Sequence, residues 1–410
     1  MGLFAYEGRK LLRNPLTLVL LAVLLVAGLA QPLYDVYQYR TVNQTYQDRN
    51  IEQIIAEYEK MSYSPLLTSM SGSEYQALAD ERENQERVVP DELLVYFDTP
   101  INQYFSLSNV SFYRENGYAL SEVLAGSSEG SDRLRCVQSL KRAMNTLARN
   151  GQRDSYEYLV LEQQVDMMEA AGVTGVQYNH FWVELEETTS GIMLPLAAVL
   201  VLLLSGAFSR EYDTGMYRIL TATPMGKRRS MFCKVGISLL LGVGTALLAL
   251  LLPAAIYLGL GTPEGWNAPL SQLGEGWFTY TPYDLQVWQY FLYKLLFVCL
   301  GMAAVALMAS FFSLLTRSAL YASTVSLLLL FTAYGALFVT DSDTVFSWFS
   351  LTYALNPRMI FSDYVSFWLP GDGILLYPDA MIIFLVVLSG LFLLLIWLWY
   401  SRCWGNRSHR

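Results

Sequence analysis

The chain has 410 residues, 53% hydrophobic and 15% charged, with a net charge of −9 and a mean hydropathy of +0.30. Six stretches of 21 residues or more carry no charge: Asn14–Tyr34, Thr188–Ser209, Val235–Pro263, Leu295–Thr316, Ser318–Thr340 and Ala380–Ser401. About 20 apolar helical residues cross a hydrocarbon core roughly 30 Å thick. A soluble enzyme, a disordered chain and a disulfide-stapled secreted domain are therefore excluded, and an all-α polytopic membrane protein with six transmembrane helices is predicted.

At residues 1–15 a short helix is expected to lie on the membrane surface. Leu3, Phe4 and Leu11 cluster on one side and Arg9, Lys10 and Arg13 on the other, with Glu7 intruding on the apolar side. The basic start and the small residues Ala27-Gly28-Leu29-Ala30 also suit a cleaved signal. The 21-residue uncharged run favours a retained anchor, with the first span at 16–34. Residues 35–187 form a long insertion with 12 Lys/Arg and 25 acids. It reads as a mainly helical domain outside the membrane. Leu134, Val137, Leu140, Met144 and Leu147 repeat at helical spacing, as do Tyr158, Leu161, Val165 and Met168, and an earlier run of Ile51, Ile54, Tyr58 and Met61 has the same period. Asn150-Gly151 between the later two runs predicts a helix stop and an antiparallel return. Ordinary core packing accounts for these stripes.

The second span follows at 188–209, then a cytoplasmic loop at 210–234. Spans three to six occupy 235–410, with an outer hairpin at 341–378 and a short cytoplasmic tail. Within the hairpin, Val345–Leu355 is apolar but too short to cross and is followed by Asn356-Pro357. Two short helices dipping into the outer leaflet and a plain extracellular loop both fit. Aromatic residues crowd the span ends, as interfacial belts do. Recurrent small residues such as Gly242, Gly301 and Ala304 suit close helix packing.

Orientation follows from charge. With both termini, the loop 210–234 and Arg317 on one side, that side holds thirteen Lys/Arg against three acids, and the other holds fourteen against thirty-three. Basic loops stay in the cytoplasm, so both termini are expected inside and the acidic insertion outside. No charged residue is expected deep in a span, and Lys294 is expected at an outer edge with its stem snorkelling. This pattern disfavours a proton-driven transporter. Cys136 is alone in the outer region, and His180 and His409 lack cysteine neighbours, so neither a disulfide nor a metal site is predicted. The run from Thr221 to Lys227 imitates the end of a phosphate loop, but Thr221 stands where a Gly is needed and Arg228 where a Ser or Thr is needed. No nucleotide site and no catalytic signature is read in this chain.

The loop after the second span is the informative segment. A positive-inside bias explains its basic residues. It does not explain Glu211 at the end of a span, Gly215 four residues on, or Pro224 in a Thr-rich turn before Lys227-Arg228-Arg229. That order suggests a helix leaving the membrane, a break, and a short surface helix offered to a partner. Phe208, Glu211, Gly215, Leu220, Pro224, Arg228 and Lys234 together resemble the first cytoplasmic loop of the permease subunits of type-2 ABC exporters. The six-span layout, the basic N-terminal helix and the outer hairpin are similar too, over about 250 residues that leave out the insertion. The resemblance implies a multi-pass subunit of a bacterial plasma membrane that exports an unidentified substrate. A separate cytoplasmic ATPase would bind ATP and Mg, so this chain would hold no cofactor and would not itself be an enzyme. A second copy or a related permease would complete a dimer, and no nucleic acid partner is expected. Glu211, Gly215, Arg218, Pro224, Arg228, Arg229 and Lys234 would carry the coupling to the ATPase, together with Arg9, Lys10 and Arg13 on the N-terminal helix. A second reading is a sensor or immunity protein that binds cationic extracellular peptides without transporting them, drawn by the acidic insertion.

Overall fold

Backbone N–H and C=O groups in hydrocarbon have no water to bond, so an apolar run must satisfy them internally as helix. The computed structural model, which describes residues 19, 22, 26, 28–37, 136–170, 180–216, 224–260, 263, 265–273, 277–278, 280–339, 349–369 and 373–405, follows that rule. Among the described residues, four helices are long and apolar enough to cross a membrane: Phe181–Tyr212, Arg229–Leu260, Val287–Thr316 and Tyr377–Ser401. The predicted surface helix with Arg9, Lys10 and Arg13, most of the first span and residues 38–135 of the insertion lie outside the described residues.

In chain order, α1 covers 28–37, α2 136–149, α3 Tyr156–Ala170, α4 His180–Leu204, α5 Gly206–Asp213 and α6 Pro224–Leu260. Then come α7 at Val287–Thr316, α8 at Ala319–Val339, α9 at Leu351–Leu355, α10 at Arg358–Phe361, a strand pair β1 (Ser366–Leu369) and β2 (Gly373–Leu376), and α11 at Tyr377–Gly405. The hairpin departs from the all-α expectation. It pairs antiparallel with Ser366 opposite Leu376 and Leu369 opposite Gly373. Its connection, Pro370-Gly371-Asp372, is turn chemistry between two short apolar runs, a signal present in the sequence.

The centre of the bundle is α7, which touches α4, α5, α6, α8, α9 and α11. It starts with a reciprocal capping box between Gln286 and Gln289 and ends at Arg317, whose φ of 56° is left-handed and turns the chain directly into α8. Small residues let its neighbours approach. A Cβ on Gly242 of α6 would lie 2.8 Å from the Met302 carbonyl oxygen and 3.1 Å from the Ala306 Cβ. Nearby, Ser310 donates a 2.9 Å hydrogen bond to Ser238. Between α4 and α5 the helical hydrogen-bond ladder is interrupted at Ser205, whose backbone stays helical, and α7 fills the gap. The Ser313 hydroxyl accepts from the N–H groups of Phe208 and Ser209 (3.0 and 3.1 Å) and donates to the Ser205 carbonyl (2.6 Å). Backbone groups left open at a helix end are thus satisfied from a neighbouring helix.

The two short helices of the hairpin region exist, split at Asn356-Pro357, and they reach far along the bundle. A Cβ on Gly301 would sit 3.2 Å from the Ala354 Cβ. Thr352 donates 2.9 Å to the carbonyl of Leu330, near the middle of α8. Gly301 is about 21 Å along α7 from its start. In the insertion, α2 and α3 form the predicted antiparallel pair. Gly151 has φ of 75° at the turn, and Val137, Val165 and Met168 share a small core with Leu140 against it. The pair docks on the hairpin: Tyr364 donates 3.1 Å to Gln163, and the ring centroids of Tyr156 and Trp368 are 6.4 Å apart.

One expectation about the cytoplasmic loop is replaced. Residues 224–234 are not a separate surface helix but the first turns of α6, whose 37 residues run without interruption to Leu260. Pro224 takes the first helical position, where its missing N–H costs nothing. Between Pro224 and Pro253 there is no further proline to stop the helix, so it propagates into the span.

Candidate functional site

Among the described residues, two buried charge clusters stand at opposite ends of the bundle. At the end holding the α5–α6 connection, Lys234 of α6 pairs with Glu211 of α5, its Nζ 2.5 Å from Oε1, with side-chain exposures of 2% and 4%. The same ammonium donates 3.0 Å to the Ala207 carbonyl and lies 4.9 Å from the centroid of the Phe208 ring. Phe208 in turn meets Tyr400 of α11 edge-on. Three residues singled out in the sequence, Phe208, Glu211 and Lys234, therefore form one clamp. Within α5 the spacing of Phe208 and Glu211 puts both on one face. A charge taken from water is tolerated because it is paired and hydrogen-bonded, and removing one partner of such a pair costs about 3–5 kcal/mol.

The clamp fixes both ends of the connecting loop. On the α5 side, Gly215 has φ of 68° and its N–H bonds the Tyr212 carbonyl, a left-handed helix ending that glycine takes without strain. Tyr212 also faces the guanidinium of Arg317, 5.2 Å from its ring centroid. On the α6 side, Pro224 opens the helix, Arg228 lies in its second turn, and Arg229 is exposed. Arg218 lies outside the described residues. Glu211 and the Arg228/Arg229 pair were expected to act together at one contact. The structure instead joins Glu211 to Lys234 inside the protein and leaves Arg229 on the surface.

At the other end, Glu186 of α4 anchors a second cluster. Its Oε2 is 2.7 Å from Lys294 Nζ of α7, and its Oε1 accepts from Ser190 (2.7 Å), Tyr290 (3.0 Å) and Arg358 Nε (3.3 Å). Lys294 also donates to Thr189 (2.7 Å) and Ser190 (3.0 Å). Lys294 does not snorkel: it is 0% exposed, corrected from the expected membrane edge because Glu186 offers a closer counter-charge than water. Sequence reasoning assigned Glu186 to the outer domain, whereas α4 begins at His180 and carries it into the bundle. The signal was available. Glu186, Thr189 and Ser190 share one helix face, and so do Tyr290 and Lys294 on α7. Arg358 of α10 brings the hairpin region into the same cluster. Beside it, burial pushes the Tyr283 hydroxyl well above the ordinary phenol range, and its ring packs edge-on to Phe361 at 5.4 Å. A separate tie holds α1: Tyr257 donates 2.5 Å to Asp35 and lies 2.9 Å from the Thr188 hydroxyl.

These clusters hold helices in register, and the surface between them is apolar. That is the build of a helical bundle that crosses a membrane. The comparisons agree with the motif and extend it. No curated protein and no solved structure matches the chain. The family described as ABC-2 family transporter protein matches residues 15–400, which includes the long insertion and so reaches beyond the region carried by the loop motif. With a multi-pass apolar bundle, a clamp built from the loop motif and a family match over nearly its full length, the chain belongs to the ABC-2 family of transporter membrane proteins.

Proposed function

We propose that this chain is the permease subunit of an ATP-driven exporter and that the segment from Thr214 to Arg229 seats on a separate cytoplasmic ATPase, which binds ATP and Mg. The observation that carries the reading is the buried Glu211–Lys234 pair with Phe208 against it. It ties α5 to α6 at the base of the loop, so a push on the loop moves two spanning helices together. Glu211 and Lys234 are then the frame of the coupling loop, while Arg229, Arg228 and Arg218 supply its contacts, joined by Arg9, Lys10 and Arg13. Six spans with both termini in the cytoplasm, an extracellular insertion at 35–187 and a bacterial plasma-membrane location complete the proposal. A second copy or a related permease forms a dimer with it. The short helices α9 and α10 enter the outer leaflet, a placement supported by their contacts with Gly301 and Leu330. Non-helical backbone at that depth is shielded by protein, as it must be.

The test is co-purification with the ATPase, followed by ATP hydrolysis and transport in liposomes. Arg228→Ala with Arg229→Ala is expected to weaken assembly or uncouple hydrolysis from transport while leaving membrane insertion intact. Wild-type assembly and coupling in that variant would remove the loop from the ATPase contact.

A further inference from the structure

Among the described residues, the cluster around Glu186 holds more positive than negative charge. One carboxylate faces two cations, Lys294 and Arg358, with residue exposures of 1%, 0% and 9%. Lys294 directs its N–H groups to Glu186, Thr189 and Ser190. Arg358 gives Glu186 only its Nε, at 3.3 Å. Among the described residues, no side chain takes up the two terminal nitrogens of that guanidinium. Arginine does not lose its proton in proteins, so among the described residues of this cluster one positive charge exceeds what the Glu186 carboxylate balances.

The surroundings say what would balance it. The Arg358 Cζ lies over the Trp277 ring, 5.0 Å from its centroid. Trp277 is itself 43% exposed, so the fork sits at the border of the protein rather than sealed inside. A planar fork whose terminal N–H groups meet no side chain among the described residues presents two parallel donors, the geometry that takes a phosphate in a bidentate grip. Tryptophan at the end of a membrane bundle marks the headgroup level, and headgroup phosphates line both faces of a bilayer.

We propose that Arg358, set over the Trp277 ring and backed by the Glu186–Lys294 pair, binds one singly charged phosphate group, from a lipid headgroup or from a free phosphate. The bound anion neutralises the cluster and fixes α10 against α4 and α7.

The full-length chain in a maltoside detergent, which contains no phosphate, provides the test. Its thermal unfolding midpoint is followed while phosphatidylglycerol, inorganic phosphate or phosphate-free diacylglycerol is added. For the wild type, phosphatidylglycerol raises the midpoint saturably and diacylglycerol does not. Arg358→Gln requires at least a tenfold higher phosphatidylglycerol concentration, and Arg358→Lys, which keeps the charge but loses the fork, requires several-fold more. Arg153→Gln, an exposed arginine in the turn between α2 and α3, titrates as wild type. A shift with phosphatidylglycerol alone identifies a lipid headgroup as the source, and an equal shift with inorganic phosphate identifies a free anion. The proposal is overturned if neither phosphate compound shifts the wild type, if diacylglycerol does as well as phosphatidylglycerol, or if both Arg358 variants titrate as wild type.

Discussion

Replacing Lys234 by Met keeps the length of the stem and deletes its charge, leaving the Glu211 carboxylate alone in a site where its side chain is 4% exposed. The lost interactions are the 2.5 Å ion pair, the 3.0 Å hydrogen bond to Ala207 and the contact with the Phe208 ring. An orphaned buried charge costs about 3–5 kcal/mol. At about 1.4 kcal/mol per tenfold, the ratio of folded to unfolded protein falls by about two to three and a half orders of magnitude. Converting Glu211 to Leu in the same protein removes the orphan, and stability is expected to return to within about 1 kcal/mol of wild type, since apolar replacement of a buried pair is often neutral. Equilibrium unfolding in mixed micelles measures both variants. The coupling role adds a second readout: the double variant regains stability but not the tight link between hydrolysis and transport, because an apolar contact lacks the directional hold of the pair. A Lys234→Met variant within about 1 kcal/mol of wild type refutes the reasoning, as does a double variant no better than the single one.

Other outcomes follow from the same geometry. Ser313→Val leaves the N–H groups of Phe208 and Ser209 without their acceptor and should cost about 1–3 kcal/mol in the same unfolding assay. Gly242→Ala drives a methyl into the Met302 carbonyl and should cost about 1–3 kcal/mol, whereas Gly244→Ala, with open space at its Cβ, should be nearly silent. Cysteines introduced into 136–170 should label from outside intact cells and those near Arg228 only after permeabilisation; the reverse pattern inverts the proposed orientation. Transport should persist when the proton gradient is collapsed and ATP is maintained, because the charges found inside the bundle are held in hydrogen-bonded clusters rather than strung along a path; complete loss would restore a proton-driven mechanism.

Much of the fold was legible because the bilayer imposes a length and a composition on every span. The uncharged runs mark the four crossing helices among the described residues, and the Asn150-Gly151 stop marks the turn between α2 and α3. The loop motif was legible as a pattern but not as an arrangement. Nothing in the spacing of Glu211 and Lys234 says that they meet, since their contact depends on how α5 and α6 return to each other in space. Glu186 and Lys294 were misread for a related reason. Hydropathy places a charged residue at the first edge it finds, while a partner on another helix can draw it inward at lower cost than reaching for water. The β-hairpin was overlooked because strands as short as Ser366–Leu369 carry little periodicity, and its turn residues were the stronger cue.

The length of α6 and its contact with α7 have a mechanical consequence. Gly242 stands midway between Pro224 and Leu260, and there α6 brings its backbone close against Met302 and Ala306. A stiff rod held at its midpoint is a balanced lever, with arms of about 27 Å on either side. Tilting it by about 5° about that fulcrum moves each end by about 2.4 Å, in opposite directions. A closing motion applied at Arg228 and Arg229 would then open or close the far end by the same amount, with no change in the helix itself, and Pro253 in the far arm is where such a rod would bend under load.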